Sequence, residues 1–105
     1  MVIVETSVFT RRIQHFLADD EDRELQNLLV VQPHLGKVIQ GNGGLRKTRF
    51  SYNSLGKSKA LQVIYYYAEV SQQLLMLSVY PKSESTDLTK AQVAGLRKII
   101  EATYP

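Results

Sequence analysis

Residues 60–68, ALQVIYYYA, and residues 74–80, LLMLSVY, stand five positions apart, and their reading decides the fold. The first is rich in β-branched and aromatic side chains, which suit a pleated, half-buried surface. The second is an almost unbroken apolar run of strand length, the pattern of a central strand covered on both faces. Residues 69–73 read as the turn between them, and Pro81 ends the second strand. Upstream, residues 45–52 alternate Leu45, Lys47 and Arg49 against Arg46, Thr48 and Phe50, which predicts a strand with one wet face. Polar, glycine-containing residues 53–59 form the loop that joins it to the next strand.

Helical periodicity takes over on both sides of this core. Phe9, Ile13, Phe16 and Leu17 recur at helical spacing over residues 6–18. Asp19, Asp20, Glu21 and Asp22 supply carboxylates for the first turn of a second helix, whose dipole they complement; Leu25, Leu28 and Leu29 give it an apolar stripe and Pro33 stops it. At the other end, Thr89 and Gln92 fit a capping box, Leu88 and Val93 its hydrophobic staple, and Val93, Leu96 and Ile100 the stripe of a helix over 90–103. Residues 2–4, VIV, are a candidate opening strand. The order helix, helix, strand, strand, strand, helix predicts an α+β fold: two N-terminal helices packed on a small, mainly antiparallel sheet, with a C-terminal helix. No repeat or linker divides residues 1–105, so a single domain is expected.

The chain lacks cysteine, which excludes disulfides, thiolate zinc sites and thiol nucleophiles and suits a reducing cytosol. No basic segment precedes an apolar core at the N-terminus and no apolar run approaches membrane-spanning length, so neither export nor a membrane span is expected; the reading is cytoplasmic. The net charge of +3 says little, but its distribution is uneven. Residues 1–24 carry three bases against six acids. Residues 25–68 carry Lys37, Arg46, Lys47, Arg49, Lys57 and Lys59 and no acid at all. A stretch of 44 residues without a carboxylate is the footprint expected of a polyanion-binding surface.

Several familiar motifs fail on spacing. Gly56, Lys57 and Ser58 end like a phosphate loop, but the glycine needed five residues earlier is Ser51. The cluster of Gly41, Gly43 and Gly44 precedes a strand instead of a helix, so a hairpin-entry turn is the simpler reading. His15 and His34 lie in different contexts, with no cysteine to complete a metal site and no serine or acid to complete a triad; His34 is expected to be solvated. No metal or cofactor is expected. The acids at 19–24 are explained by a helix N-terminus without any substrate.

The basic set remains. Lys47 and Arg49, two apart on one strand, leave the same face; Lys57 and Lys59 border the next strand, and Lys82 follows the last. If the three strands are antiparallel neighbours these cations converge, and a gathering of like charges is best explained by an anionic ligand. By the same alternation Tyr65 and Tyr67 share one face and Tyr66 takes the other, where a phenol could stack on a base or donate a proton.

Residues 35–49, LGKVIQGNGGLRKTR, then Gly56-Lys57, then VIYY at 63–66 and LSVYPKSESTDLT at 77–89 together resemble the HigB toxins of the RelE superfamily, from about residue 32 to residue 100. The resemblance implies a RelE-like fold and a ribosome-dependent messenger-RNA endonuclease, in which a ribose 2′-OH attacks the adjacent phosphate without a metal or a covalent nucleophile. Its partner would be a cognate antitoxin of HigA-like, helix-turn-helix type. Residue by residue, it implies a catalytic set of Lys47, Arg49, Lys82, Tyr66 and the position of Gln62. Arg46, Lys57, Lys59 and Glu84 would be further RNA-contacting residues, with Glu84 orienting Lys82. The chain departs from relatives in placing Gln62 where an arginine is expected before the Ile-Tyr-Tyr motif, and Ser83 where RelE itself has a second arginine. Those departures keep open an RNA- or ribosome-binding relative without strong catalysis; a gyrase-poisoning toxin of the same fold is a further alternative.

Overall fold

The computed structural model describes residues 1–39, 43–54, 56–84 and 87–105. Gln40, Gly41, Asn42, Leu55, Ser85 and Thr86 lie outside the described residues, and with them parts of the glycine cluster, of the loop expected at 53–59 and of the motif after Lys82; residues 53–54 and 57–59 of that expected loop are strand. The elements in chain order are β1 (Val2–Glu5), α1 (Ser7–Phe16), α2 (Asp19–Val31), β2 (Lys37–Val38), β3 (Leu45–Ser54), β4 (Lys57–Ala68), β5 (Gln73–Pro81) and α3 (Lys90–Thr103). Both helix boundaries at the N-terminal hairpin follow from local chemistry. Thr6 Oγ1 accepts the Phe9 N–H at the start of α1, and Glu21 reaches back to accept the Ala18 N–H at 2.9 Å at the start of α2, where Ala18 has no side-chain acceptor of its own. At α3 the capping box is complete: Thr89 Oγ1 accepts the Gln92 N–H and Gln92 Oε1 accepts the Thr89 N–H.

The sheet has five strands in the order β1-β5-β4-β3-β2. The hairpins β3–β4 and β4–β5 are antiparallel, as expected, but the sheet is mixed: β1 runs parallel to β5, from Val2 opposite Gln73 to Glu5 opposite Met76. The short strand β2, antiparallel to β3, was not anticipated, because two residues bounded by glycine-rich sequence carry no periodicity. One sheet face, with Leu61, Val63, Tyr65, Leu74, Met76 and Val79, packs on Phe9, Ile13, Leu25 and Leu29 of α1 and α2. The other, with Leu45, Ile64, Leu75, Leu77 and Tyr80, packs on Ile100 of α3. β5 is buried on both sides, as its unbroken apolar run requires. A bulge opposite Ile64 and Tyr65 shifts the β4–β5 register by one residue.

Tyr65 pins the connection between α2 and β2. Its buried hydroxyl accepts the Gly36 N–H at 2.8 Å and donates to the Pro33 carbonyl at 2.9 Å. Its ring lies so close that a Cβ on Gly36 would stand 2.8 Å from Cε1, so only glycine fits there. Gly44, at φ +89°, turns the chain into β3 with the Tyr66 ring against it, which is the hairpin-entry role expected of the described part of the cluster.

Candidate nucleic-acid interface

Strand alternation sets which cations can act together. Lys47 and Arg49 share parity with Leu45 and so leave the face that α3 partly covers. Register extends this into rows across the sheet: Arg49 lies opposite Gln62, which lies opposite Tyr80; Lys47 lies opposite Ile64 and, on its other side, opposite Lys37 of β2. α3 reaches the Leu45 and Ile64 end of this face and leaves Arg49 exposed.

At the end of the sheet, where β4 begins and β5 and α1 finish, a cavity of about 600 Å³ is lined by Phe16, Arg49, Tyr52, Ser58, Lys59, Ala60, Pro81, Lys82 and Ser83. Three cations from three stretches of chain, Arg49, Lys59 and Lys82, thus border one space. Tyr52 and Lys59, opposite one another in register, enter it from the side of α1 and α2, and Arg49 enters from the side of α3. No ion pair engages these three cations among the described residues. An open, cation-rimmed space of this size is suited to a phosphate-bearing ligand.

Lys47 stands one row further in and is compensated internally. Its Nζ is 2.8 Å from Asp87 Oδ1, and that hydrogen bond, opposed by burial, raises the lysine above its ordinary value and keeps it charged. Beside this pair lies Tyr80, a residue that sequence reasoning absorbed into the apolar core. Its hydroxyl is buried and has no hydrogen-bond partner among the described residues. Burial pushes the phenol up, Lys47 pulls it back in part, and Asp87 adds to the rise, so Tyr80 keeps its proton at neutral pH. The signal for Tyr80 was available in its parity with Gln62 and Arg49, but only once the β5 bulge was known.

Other expected site residues go elsewhere. Arg46 turns to the opposite face by alternation, where its Nη1 donates to the carbonyls of Gly36 at 2.8 Å and His34 at 3.4 Å; it latches the loop before β2. Glu84 does not orient Lys82. It accepts from Arg12 Nη2 at 3.2 Å, while Arg12 Nε donates to the Val79 carbonyl at 2.8 Å, so the acid anchors α1 to the edge of β5 that β1 leaves open. Tyr66 does lie on the face of Lys47 and Arg49, but opposite Leu45, four residues from Gln62, or about 13 Å along the strand. There it packs against Tyr104, 5.7 Å between ring centroids, and not beside Arg49. Lys57 sits at the β3–β4 hairpin tip, outside the cavity lining. His34, expected to be solvated, is exposed yet bound to Glu69 at 2.6 Å and set edge-on to Tyr67. Among the described residues no three histidine or acidic side chains converge as metal ligands, and no helix is long and apolar enough to cross a membrane.

No family model matches the chain. Among solved structures, a chain of the intact E. coli RelBE toxin-antitoxin complex superposes with a TM-score of 0.50, at 13% sequence identity, over 74% of this chain and 92% of that one. At that identity the likeness concerns the fold, which is α+β with a five-stranded mixed sheet and three helices, RelE-like in architecture.

Proposed function

We propose that this chain is the toxin of a toxin-antitoxin pair, of HigB type, and that it cleaves messenger RNA on the ribosome without a metal. The observation that carries the reading is the cavity where Arg49, Lys59 and Lys82 meet, unengaged by any ion pair among the described residues, on a fold shared with a chain of a toxin-antitoxin complex. In the proposed reaction the ribose 2′-oxygen bonds to phosphorus as its proton passes to a base. The bond from phosphorus to the 5′-oxygen breaks, and an acid protonates that leaving oxygen, giving a 2′,3′-cyclic phosphate and a free 5′-hydroxyl. The work left to the protein is to hold the phosphate and to offset the charge that grows on its oxygens, which Arg49, Lys82 and Lys47 can supply. The antitoxin partner, of HigA-like helix-turn-helix type, is part of the same proposal.

Expression of the chain should arrest growth and create new RNA 5′-hydroxyl ends on translated messages, with rescue by the antitoxin. Alanine at Lys47, Arg49 and Lys82 together should abolish both effects while the circular dichroism spectrum is kept; arrest by the triple variant would refute the site. A second reading, RNA or ribosome binding without cleavage, rests on Gln62, which occupies the centre of the Arg49–Gln62–Tyr80 row with a neutral amide where a cation is expected. Loss of one transition-state donor costs on the order of 2.7–4 kcal/mol. That reading predicts bound RNA and no new ends.

A further inference from the structure

Cations explain how the cavity at the end of the sheet holds a phosphate, but not why two aromatic rings border the same space. Phe16 is the last residue of α1 and Tyr52 lies near the end of β3; both are only partly buried, packing one side against the α1–α2 core. A purely electrostatic anion site has no use for exposed ring surface, which would be better buried. A nucleotide does, because its base offers a flat apolar face a short distance from its phosphate. The cavity's volume of about 600 Å³ falls within the roughly 300–1,000 Å³ common to small-molecule sites.

Resting on the RNA-binding reading above, we propose that this cavity is a nucleotide subsite for single-stranded RNA. The base of one nucleotide lies against the Tyr52 and Phe16 wall while its phosphate is held by Arg49, Lys59 and Lys82 on the rim. The two wall residues come from different elements; Arg12, 5.8 Å over the Phe16 ring, already covers that ring, so Tyr52 supplies the stacking face and Phe16 closes the side of the wall. Lys59 stands directly across from Tyr52, so ring and cation face the ligand as a unit. Stacking accepts any base, since every base has a π face, so the subsite would tolerate sequence while demanding an unpaired strand. Duplex RNA, whose bases are already stacked, is excluded as a ligand of this pocket.

The test compares a short single-stranded RNA with the same oligonucleotide carrying one abasic position, titrated by fluorescence anisotropy into the native full chain and three variants. The intact RNA should bind on the order of 5- to 150-fold tighter than the abasic one, the span expected of one base stacked on an aromatic ring. Tyr52→Leu, which keeps an apolar side chain against the core, should erase that difference, whereas Tyr52→Phe should retain it. Arg49→Gln should weaken both oligonucleotides alike. Equal binding of both by the native chain, with both weakened by Arg49→Gln, overturns the base subsite and leaves the RNA reading standing. Absence of binding to either overturns both.

Discussion

Neutralising the expected phosphate contacts one at a time should change the salt dependence of RNA binding by amounts that the side-chain directions fix. Each single-strand phosphate contact contributes a slope of about −0.7 to log K against log salt. Arg49 and Lys82 line the same cavity, and neither is held by an ion pair among the described residues, so each should contribute about that much. Lys47 is already compensated by Asp87 at 2.8 Å, so Lys47→Gln should reduce the slope by clearly less, and Asp87→Asn should restore a full contact and tighten binding. Arg46→Gln is the internal control. Its guanidinium lies on the other face, bonded to the carbonyls of Gly36 and His34, so it should leave the slope unchanged and cost about 1 kcal/mol of stability instead. The double variant Arg49→Gln, Lys82→Gln should therefore flatten the slope by about 1.4. Anisotropy titrations of a labelled single-stranded RNA from about 50 to 200 mM salt read this directly. If Arg46→Gln flattens the slope as much as Arg49→Gln does, with both proteins folded, the division of the cations between two faces is wrong as an account of binding.

Tyr65→Phe keeps the ring and removes both bonds that pin the loop before β2; with the Gly36 N–H left unpaired it should cost about 1–3 kcal/mol, each kcal/mol lowering Tm by roughly 4–8 °C in a calorimetric scan. Asp22 is held above its ordinary 3.8 by burial first and then by Glu5 and Asp19, and its Oδ1 is buried with no hydrogen-bond partner among the described residues. A carboxyl raised on folding favours the fold below its unfolded value and loses that contribution as pH rises through the raised one, so Asp22→Asn should raise Tm at pH 7 with a gain that vanishes in acid; a gain that persists below pH 3.8 would contradict this. Tyr80→Phe removes a buried hydroxyl with no hydrogen-bond partner among the described residues, so Tm should hold or rise in a thermal scan, and a clear fall would contradict this.

The elements that announce themselves by local pattern were legible in the sequence. The 3.6 period of α1 and α2, the capping box of α3 and the apolar run of β5 each settle within their own window. Alternation along residues 45–52 also separated Lys47 and Arg49 from Arg46, although the resemblance alone treated Arg46 as a further RNA contact. What escaped depends on distant partners. The acid that Lys47 meets is 40 residues away and the arginine that Glu84 meets is 72 away, so nothing local distinguishes either pair from free surface charge. Tyr80 looked like core because an apolar run hides a single hydroxyl. The Tyr52 and Phe16 wall is formed by the end of a helix and the end of a strand, and no spacing rule links the two.

The parallel pairing of β1 with β5 has a kinetic meaning. Its partners, Val2 and Gln73, are separated by 71 positions, so β1 cannot dock until β5, far downstream, has been made. Closing so long a loop is slow relative to forming the two local hairpins, which favours a nucleus built from β3, β4 and β5 with α1 and β1 joining last. Arg49, Lys59 and Lys82 belong to that nucleus or its margins, whereas Phe16 arrives with α1. During refolding, affinity for polyanions and the stacking face of Tyr52 should therefore emerge together, before α1 brings Phe16 up to close the wall.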